Sequence, residues 1–250
     1  MRVFRHREDR LPIFLFSMLF AVDLAVFFWI DSVVLQIVYF VGMIVPKMGV
    51  AAFNHHHQHV PTFRFALFNR LLEIVYALQT GISSQTWVLH HSLGHHVNYL
   101  DQTKDESRWT RDDGTPMGEL EYSLSVMLTA YPRAWAVGGR HPVQRRIFVS
   151  MGLVTLGIIA GLVWYRPVPG LFVFVLAPAF SLFATAWATF THHAGRAAPP
   201  SHFEASNNIM LRLYNVFTGN LGYHTAHHYK PGVHWSKLPE LHEKIAHQIP

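Results

Sequence analysis

LPIFLFSMLFAVDLAVFFWI, residues 11–30, holds a single charged side chain, Asp23. About 20 apolar residues suffice for a helix to cross a bilayer, so the stretch predicts a transmembrane span. The preceding MRVFRHREDR resembles the basic flank of a signal peptide. The apolar run is too long for one and no small-x-small cleavage site follows, so the span is expected to be retained. Asp23 is the anomaly within it. A carboxylate at membrane depth either serves function or faces a neighbouring helix or the interface.

Three further stretches match the first. Residues 33–53 follow a short polar hinge around Asp31 and run into NHHHQH, and residues 147–165 and 171–190 flank the turn RPVPG. Four such stretches predict an all-α polytopic membrane protein, with four spans in two hairpins, built as one membrane-integrated domain over residues 1–250. Residues 54–145 contain the amphipathic pieces FALFNRLLEIVYAL and LEYSLSVMLTAY. These are too short and polar to span, and suit helices packed on a membrane surface or on one another. The tail, residues 191–250, is polar again.

The positions of arginine orient the chain. Arg2, Arg5, Arg7 and Arg10 precede the first span; Arg64, Arg70, Arg133, Arg140, Arg145 and Arg146 lie between the second and third; the two short turns contain Arg166 alone. By the positive-inside rule both termini and the segments 54–145 and 191–250 are cytoplasmic, on the inner membrane if the chain is bacterial.

Composition agrees. Charged residues are 14% of the chain, against roughly 25% in soluble proteins, so part of the surface faces something other than water. The net charge of +5 suits anionic lipid or an acidic partner. A basic run with interleaved aromatics is missing, which argues against nucleic acid. Cysteine is absent, which excludes disulfides, thiolate zinc, iron–sulfur clusters and thiolate-ligated haem.

Thirteen of the 19 histidines fall in four groups. NHHHQH, after the second span, holds His55, His56, His57 and His59. LHHSLGHH holds His90, His91, His95 and His96. THHAG, directly after the fourth span, holds His192 and His193. NLGYHTAHHYKPGVHW, residues 220–235, holds His224, His227 and His228, with His234 beyond them. Under the expected topology all four groups meet on one face of one membrane.

On a helix, residues three or four apart share a stripe, which pairs His55 with His59, His91 with His95, and His224 with both His227 and His228. Neutral imidazole is a good ligand for iron, zinc, copper and nickel. Eight or nine such ligands exceed the coordination of one ion, so a pair of metal ions is the natural count. A bis-histidine haem wants single histidines deep inside facing spans, and a structural zinc needs only four ligands and usually recruits cysteine. A histidine-rich metal store or transporter would place its histidines in a low-complexity loop or along a polar path through the spans.

The boxes HxxxH (His55, His59), HxxxHH (His91, His95, His96) and HxxHH (His224, His227, His228) resemble the signature of the membrane fatty acid desaturase and hydroxylase superfamily. The flanking text, NLGYHTAHH and then PGVHWSKLPELH, is similar to the end of many bacterial acyl desaturases. The resemblance covers most of the chain and implies that the eight box histidines ligate two ferrous ions. It implies a ninth ligand after the fourth span, His192 or His193. The three residues before HH in the second box match alkane hydroxylase relatives rather than the two frequent in many desaturases. His56, His57 and His90 are extra, and His234 and His242 lie outside the boxes. Asp101, Asp105 and Glu106 follow the second box where relatives also carry acids; they either orient ligand imidazoles through the free ring N–H or form a solvated charged loop. Asn220 has a similar status.

The resemblance implies an O2-dependent di-iron oxidoreductase acting on an unactivated C–H bond of a long-chain acyl or lipid substrate that enters from the bilayer. Desaturation is favoured; hydroxylation and terminal-alkene-forming decarboxylation by the same centre are the alternatives. No catalytic residue is expected beyond the metal centre. No dinucleotide fingerprint or haem box is visible, so electrons come from an external ferredoxin or cytochrome b5-like donor, for which a basic face is suited. The reading from another class is a non-enzymatic histidine-rich membrane protein that binds or moves metal.

Overall fold

The computed structural model describes residues 3–196 and 201–250. Among the described residues, four helices are long and apolar enough to cross a membrane: Arg7–Trp29, Val33–His59, Pro142–Tyr165 and Pro167–His193. Together with the shorter helices between and after them, and no named strand among the described residues, they make the chain an all-α polytopic membrane protein. A helix closes every backbone hydrogen bond within its own segment, which hydrocarbon demands. The spans accordingly leave apolar side chains outward, among them Leu11, Phe14, Met18, Val38, Leu153 and Trp164.

The chain divides into two compact units. The first comprises Met1–His57, Pro61–Gln85 and Arg146–Leu182. It holds α1 (Arg10–Trp29), most of α2 (Val33–His59), α3 (Ala66–Thr80), most of α5 (Pro142–Tyr165), α6 (Pro167–Leu171) and the start of α7 (Ala177–His193). Its core gathers Phe27, Tyr39, Met43, Leu78, Val173 and Phe174. The second span is predicted to end at residue 53, yet α2 continues through the first histidine box to His59. Asn54 donates to Thr80 Oγ1 at 3.3 Å and to the Ile82 carbonyl at 3.2 Å, which ties α2 to the end of α3.

The intramembrane Asp23 has a partner on the neighbouring helix. Lys47 Nζ donates to its Oδ2 at 2.8 Å and the Tyr39 hydroxyl donates to its Oδ1 at 2.5 Å, with both charged side chains fully buried. The pair joins α1 to α2 and leaves neither charge facing lipid. At the short turns Arg166 bonds Asp31 and the Phe27 carbonyl, which fastens the two hairpin bends to each other.

The second unit comprises Gln58–Val60, Thr86–Arg145 and Phe183–Pro250. It holds a π-helix, Val88–His95, followed by α4 (Glu119–Gly138), the end of α7, and the short helices α8 (Arg212–Thr218), α9 (His224–Tyr229) and α10 (Leu238–Ile245). Trp109, Tyr122, Val126 and Ala186 form its apolar core. Along α4, Tyr122, Val126 and Ala130 are buried while Leu120, Leu124 and Leu128 are exposed. Two opposed apolar stripes, one buried and one exposed, therefore run along α4.

Candidate metal centre

The second box departs from the α-helical stripe. It lies on the π-helix Val88–His95, a wider turn that bonds i to i+5 and is common at functional sites. The His96 N–H donates to the His91 carbonyl at 2.8 Å. His91 is therefore aligned with His96, whose Nε2 atoms are 2.9 Å apart, while the His95 ring stacks 5.1 Å from that of His91 and turns its Nε2 toward His193. Gly94 permits this turn. A Cβ there would stand 2.5 Å from Glu106 Cγ and 3.2 Å from the Leu89 carbonyl oxygen, so a side chain would push away the acid loop that follows.

The third box divides in the same way. On α9, His224 and His228 are one turn apart and their Nε2 atoms approach to 3.1 Å. His227 points elsewhere, its Nε2 3.1 Å from that of His96. The segment before it is held closely. A Cβ on Gly222 would lie 2.1 Å from the Ile209 carbonyl oxygen, and Asn208 accepts the Thr225 N–H at 3.0 Å.

Two groups of imidazoles result, each drawing on several boxes. In the first, ligand nitrogens of His59, His91 and His227 lie within 4.8 Å of one another, and His96 bridges His91 and His227. In the second, those of His95, His193 and His228 lie within 4.8 Å of one another, and His224 faces both His193, at 3.0 Å, and His228. All of these except His59 and His96 are buried. His55 sits one turn before His59 on the continuous helix α2.

The donor set fits a cation in each group. His95 Nδ1 lies 2.7 Å from the Asp105 carboxylate, and His193 Nδ1 lies 3.2 Å from the Ala205 carbonyl. Both partners are acceptors, so each neutral ring carries its proton on Nδ1. Their Nε2 lone pairs then face each other at 3.2 Å, which is repulsive unless a positive charge lies between them. The Nε2 separations in the two groups run from 2.9 to 3.2 Å. Two nitrogens ~2.1 Å from one ion are ~3.0 Å apart at right angles and ~3.4 Å apart at the tetrahedral angle. Nitrogens at this spacing could share one ion. Burial and the neighbouring imidazoles His96 and His224 push His228 well below the ordinary histidine range, which keeps it neutral and able to ligate.

The two histidines after the fourth span have different surroundings. His193 belongs to the second group. His192 gives Nδ1–H to the Asn207 carbonyl at 2.9 Å and takes the Tyr214 hydroxyl on Nε2 at 3.0 Å, so both ring nitrogens are engaged. Its ring stacks on His224 at 3.9 Å between centroids.

The remaining candidates are dispersed. Of the acids, Asp105 is buried against His95 and also accepts the Ser107 N–H at 2.7 Å. Asp101 caps a surface turn through Thr103 and Lys104. Glu106 packs on Gly94; burial raises its carboxyl. His57 takes the Thr62 N–H on Nδ1 at 3.2 Å and turns Nε2 toward Glu73 at 3.5 Å, within a buried cluster completed by Arg70 and Ser84. His56 packs on Phe53. His90 stacks on Trp87, and burial with the charges of Arg133 and His95 pushes it to about 3. His234 is buried, its Nδ1 capping the turn Trp235–Lys237 through the Ser236 N–H. His242 packs on Tyr223, and Asn220 donates to the Trp235 carbonyl.

Two tyrosines absent from the sequence reading border the site. The Tyr99 ring packs at a tilt 4.4 Å from the His228 ring, and its hydroxyl bonds His202. Its position three residues after His96 was the available signal. Tyr214 had none, since its contact with His192 depends on the tertiary fold.

The chain belongs to the fatty acid desaturase family, whose model matches residues 9–250. It is therefore a membrane oxidoreductase of the fatty-acid-modifying kind, in a family that generally uses iron and O2. No individual curated protein and no solved structure matches it.

Proposed function

We propose that the protein is an O2-dependent, di-iron membrane enzyme that oxidises an unactivated C–H bond of a long-chain acyl or lipid substrate, with desaturation as the outcome. One observation carries this reading: two separate sets of Nε2 atoms converge at 2.9–3.2 Å, one of them with lone pairs turned inward by acceptors on Nδ1. Zinc in a four-ligand structural site would leave half of these imidazoles unused.

The first iron is assigned to His55, His59, His91, His96 and His227, and the second to His95, His193, His224 and His228. When bound, the iron pair supplies the O2-dependent oxidising power that a C–H bond of an alkyl chain requires. The protein's own contribution is positioning. Asp105 and the Ala205 carbonyl fix the tautomers of His95 and His193, and the π-turn at Gly94 separates His95 from His91 so that one box serves both sets. Burial excludes water from the second set. The whole chain acts as one membrane-integrated domain, with both termini and the centre on the cytoplasmic side, as its arginines favour. Electrons arrive from a separate ferredoxin or cytochrome b5-like protein on the basic cytoplasmic face.

Hydroxylation is the second reading, and terminal-alkene formation from a fatty acid the third. The three-residue spacing of the second box, shared with alkane hydroxylases, favours keeping them. The test is expression in a host with a compatible reductase, with lipids and headspace analysed by mass spectrometry beside His227→Ala. A new double bond, alcohol or terminal alkene that disappears in the variant supports the site and identifies the reaction. A product that persists in the variant overturns the assignment, and tight zinc without any oxidation product returns the chain to metal binding or transport.

A further inference from the structure

The polar tail hides one segment that is not polar in place. Around α8, Met210, Leu211, Leu213, Val216 and Phe217 are exposed, Leu213 at 85%. Five apolar side chains projecting from one short stretch is more than a water-facing surface ordinarily tolerates. The stretch is not loose. Asn215 donates to the Ile209 and Leu211 carbonyls at 2.8 and 3.1 Å and accepts the Gly222 N–H at 3.1 Å, so this face is held outward by design.

Its depth is fixed by two bonds to the end of α7. The Asn207 N–H donates to the His192 carbonyl at 2.7 Å, and the Tyr214 hydroxyl donates to His192 Nε2 at 3.0 Å. His192 stands in the last turn of the span Pro167–His193. A segment bonded to the last turn of a membrane span lies at the boundary of head groups and acyl chains, where amphipathic helices bury an apolar face ~5–10 Å deep. Arg212, exposed among the apolar residues, is placed to reach lipid phosphates while its stem stays in the apolar layer.

We propose that residues 210–217 form an interfacial membrane anchor, with Leu213 and Val216 in the acyl region and Arg212 at the phosphates. Through Tyr214 and His192 the anchor sets the height of the stacked His224 relative to the bilayer surface. The occupant of the exposed face is lipid rather than a second copy, because the face is bonded to the last turn of a helix long and apolar enough to cross a membrane.

The absence of cysteine makes the test direct. Leu213→Cys and Val216→Cys, each carrying the fluorophore NBD, are reconstituted in phosphatidylcholine–phosphatidylglycerol vesicles. Leu153→Cys in the third span serves as the lipid reference and Asp112→Cys as the water reference. Quenching by lipid bearing a nitroxide high on its acyl chain should exceed that of the Asp112 label several-fold at both positions, with aqueous iodide quenching reduced by a similar factor. Iodide quenching equal to that of the Asp112 label would overturn the proposal. So would protection from both quenchers, which is the signature of a protein–protein contact. Neither readout depends on metal or on turnover.

Discussion

Asp105 Oδ1 lies 2.7 Å from His95 Nδ1 and accepts the Ser107 backbone N–H at the same distance. The carboxylate thus holds the ring proton on Nδ1 and leaves Nε2 bare toward His193. Asp105→Asn preserves shape but offers a donor as readily as an acceptor, so the ring loses its imposed tautomer. Metal affinity should fall about 10–100-fold, read as iron per chain by mass spectrometry after dialysis against graded chelator. Asp101→Asn, at a surface turn, should match the wild type. Equal loss in both variants would remove the special role of Asp105.

The neighbours His192 and His193 should separate cleanly. His193→Ala removes a member of the second imidazole group and is expected to lower bound iron from two toward one per chain. His192→Ala should keep both irons, because both its ring nitrogens are already bonded. It strands the Asn207 carbonyl and the Tyr214 hydroxyl, at a cost of about 1–3 kcal/mol, and so should lower the melting temperature. Retention of both irons in the His193 variant would refute this division.

These pairs show what was legible in the sequence. The four spans were, because hydropathy over 20 residues depends on no tertiary contact. So were the histidine clusters, because their spacing is read directly from the chain. Their partition was not. An α-helical stripe pairs His91 with His95, and only the π-turn, with Gly94 against Glu106, sends them to different groups. The different surroundings of His192 and His193 depend on Tyr214 and Asn207, which approach through the fold of residues 205–214. Asp23 stood out as a carboxylate that either serves function or faces a neighbouring helix or the interface, but Lys47, 24 residues on, could be identified as its partner only once α1 and α2 were paired.

That partnership sets a stability prediction. Asp23→Ala leaves Lys47, 1% exposed, without its counter-ion, a situation that costs about 3–5 kcal/mol. Replacing both, as Asp23→Leu with Lys47→Met, should recover most of the loss because no charge then remains to be compensated. Thermal unfolding in one detergent, for wild type, single and double variants, measures this. A double variant no more stable than the single would mean that the ion pair contributes more than mutual neutralisation.

Acid should destabilise the metal-free protein through its buried histidines. His90 falls to about 3 in the fold, pushed down by burial, Arg133 and His95, from an ordinary value of 6.5. Between those values the unfolded chain binds a proton that the folded chain refuses. The folded state therefore has its full stability above 6.5 and loses it as pH falls, by about 1.4 kcal/mol per pH unit for each such histidine. His228, also held well below its ordinary value, adds to the same slope. Unfolding of chelator-stripped protein from pH 7.5 to 5 should show stability declining with acid, and His90→Gln should reduce the slope by one proton. An unchanged slope in that variant would show that His90 takes up its proton without unfolding.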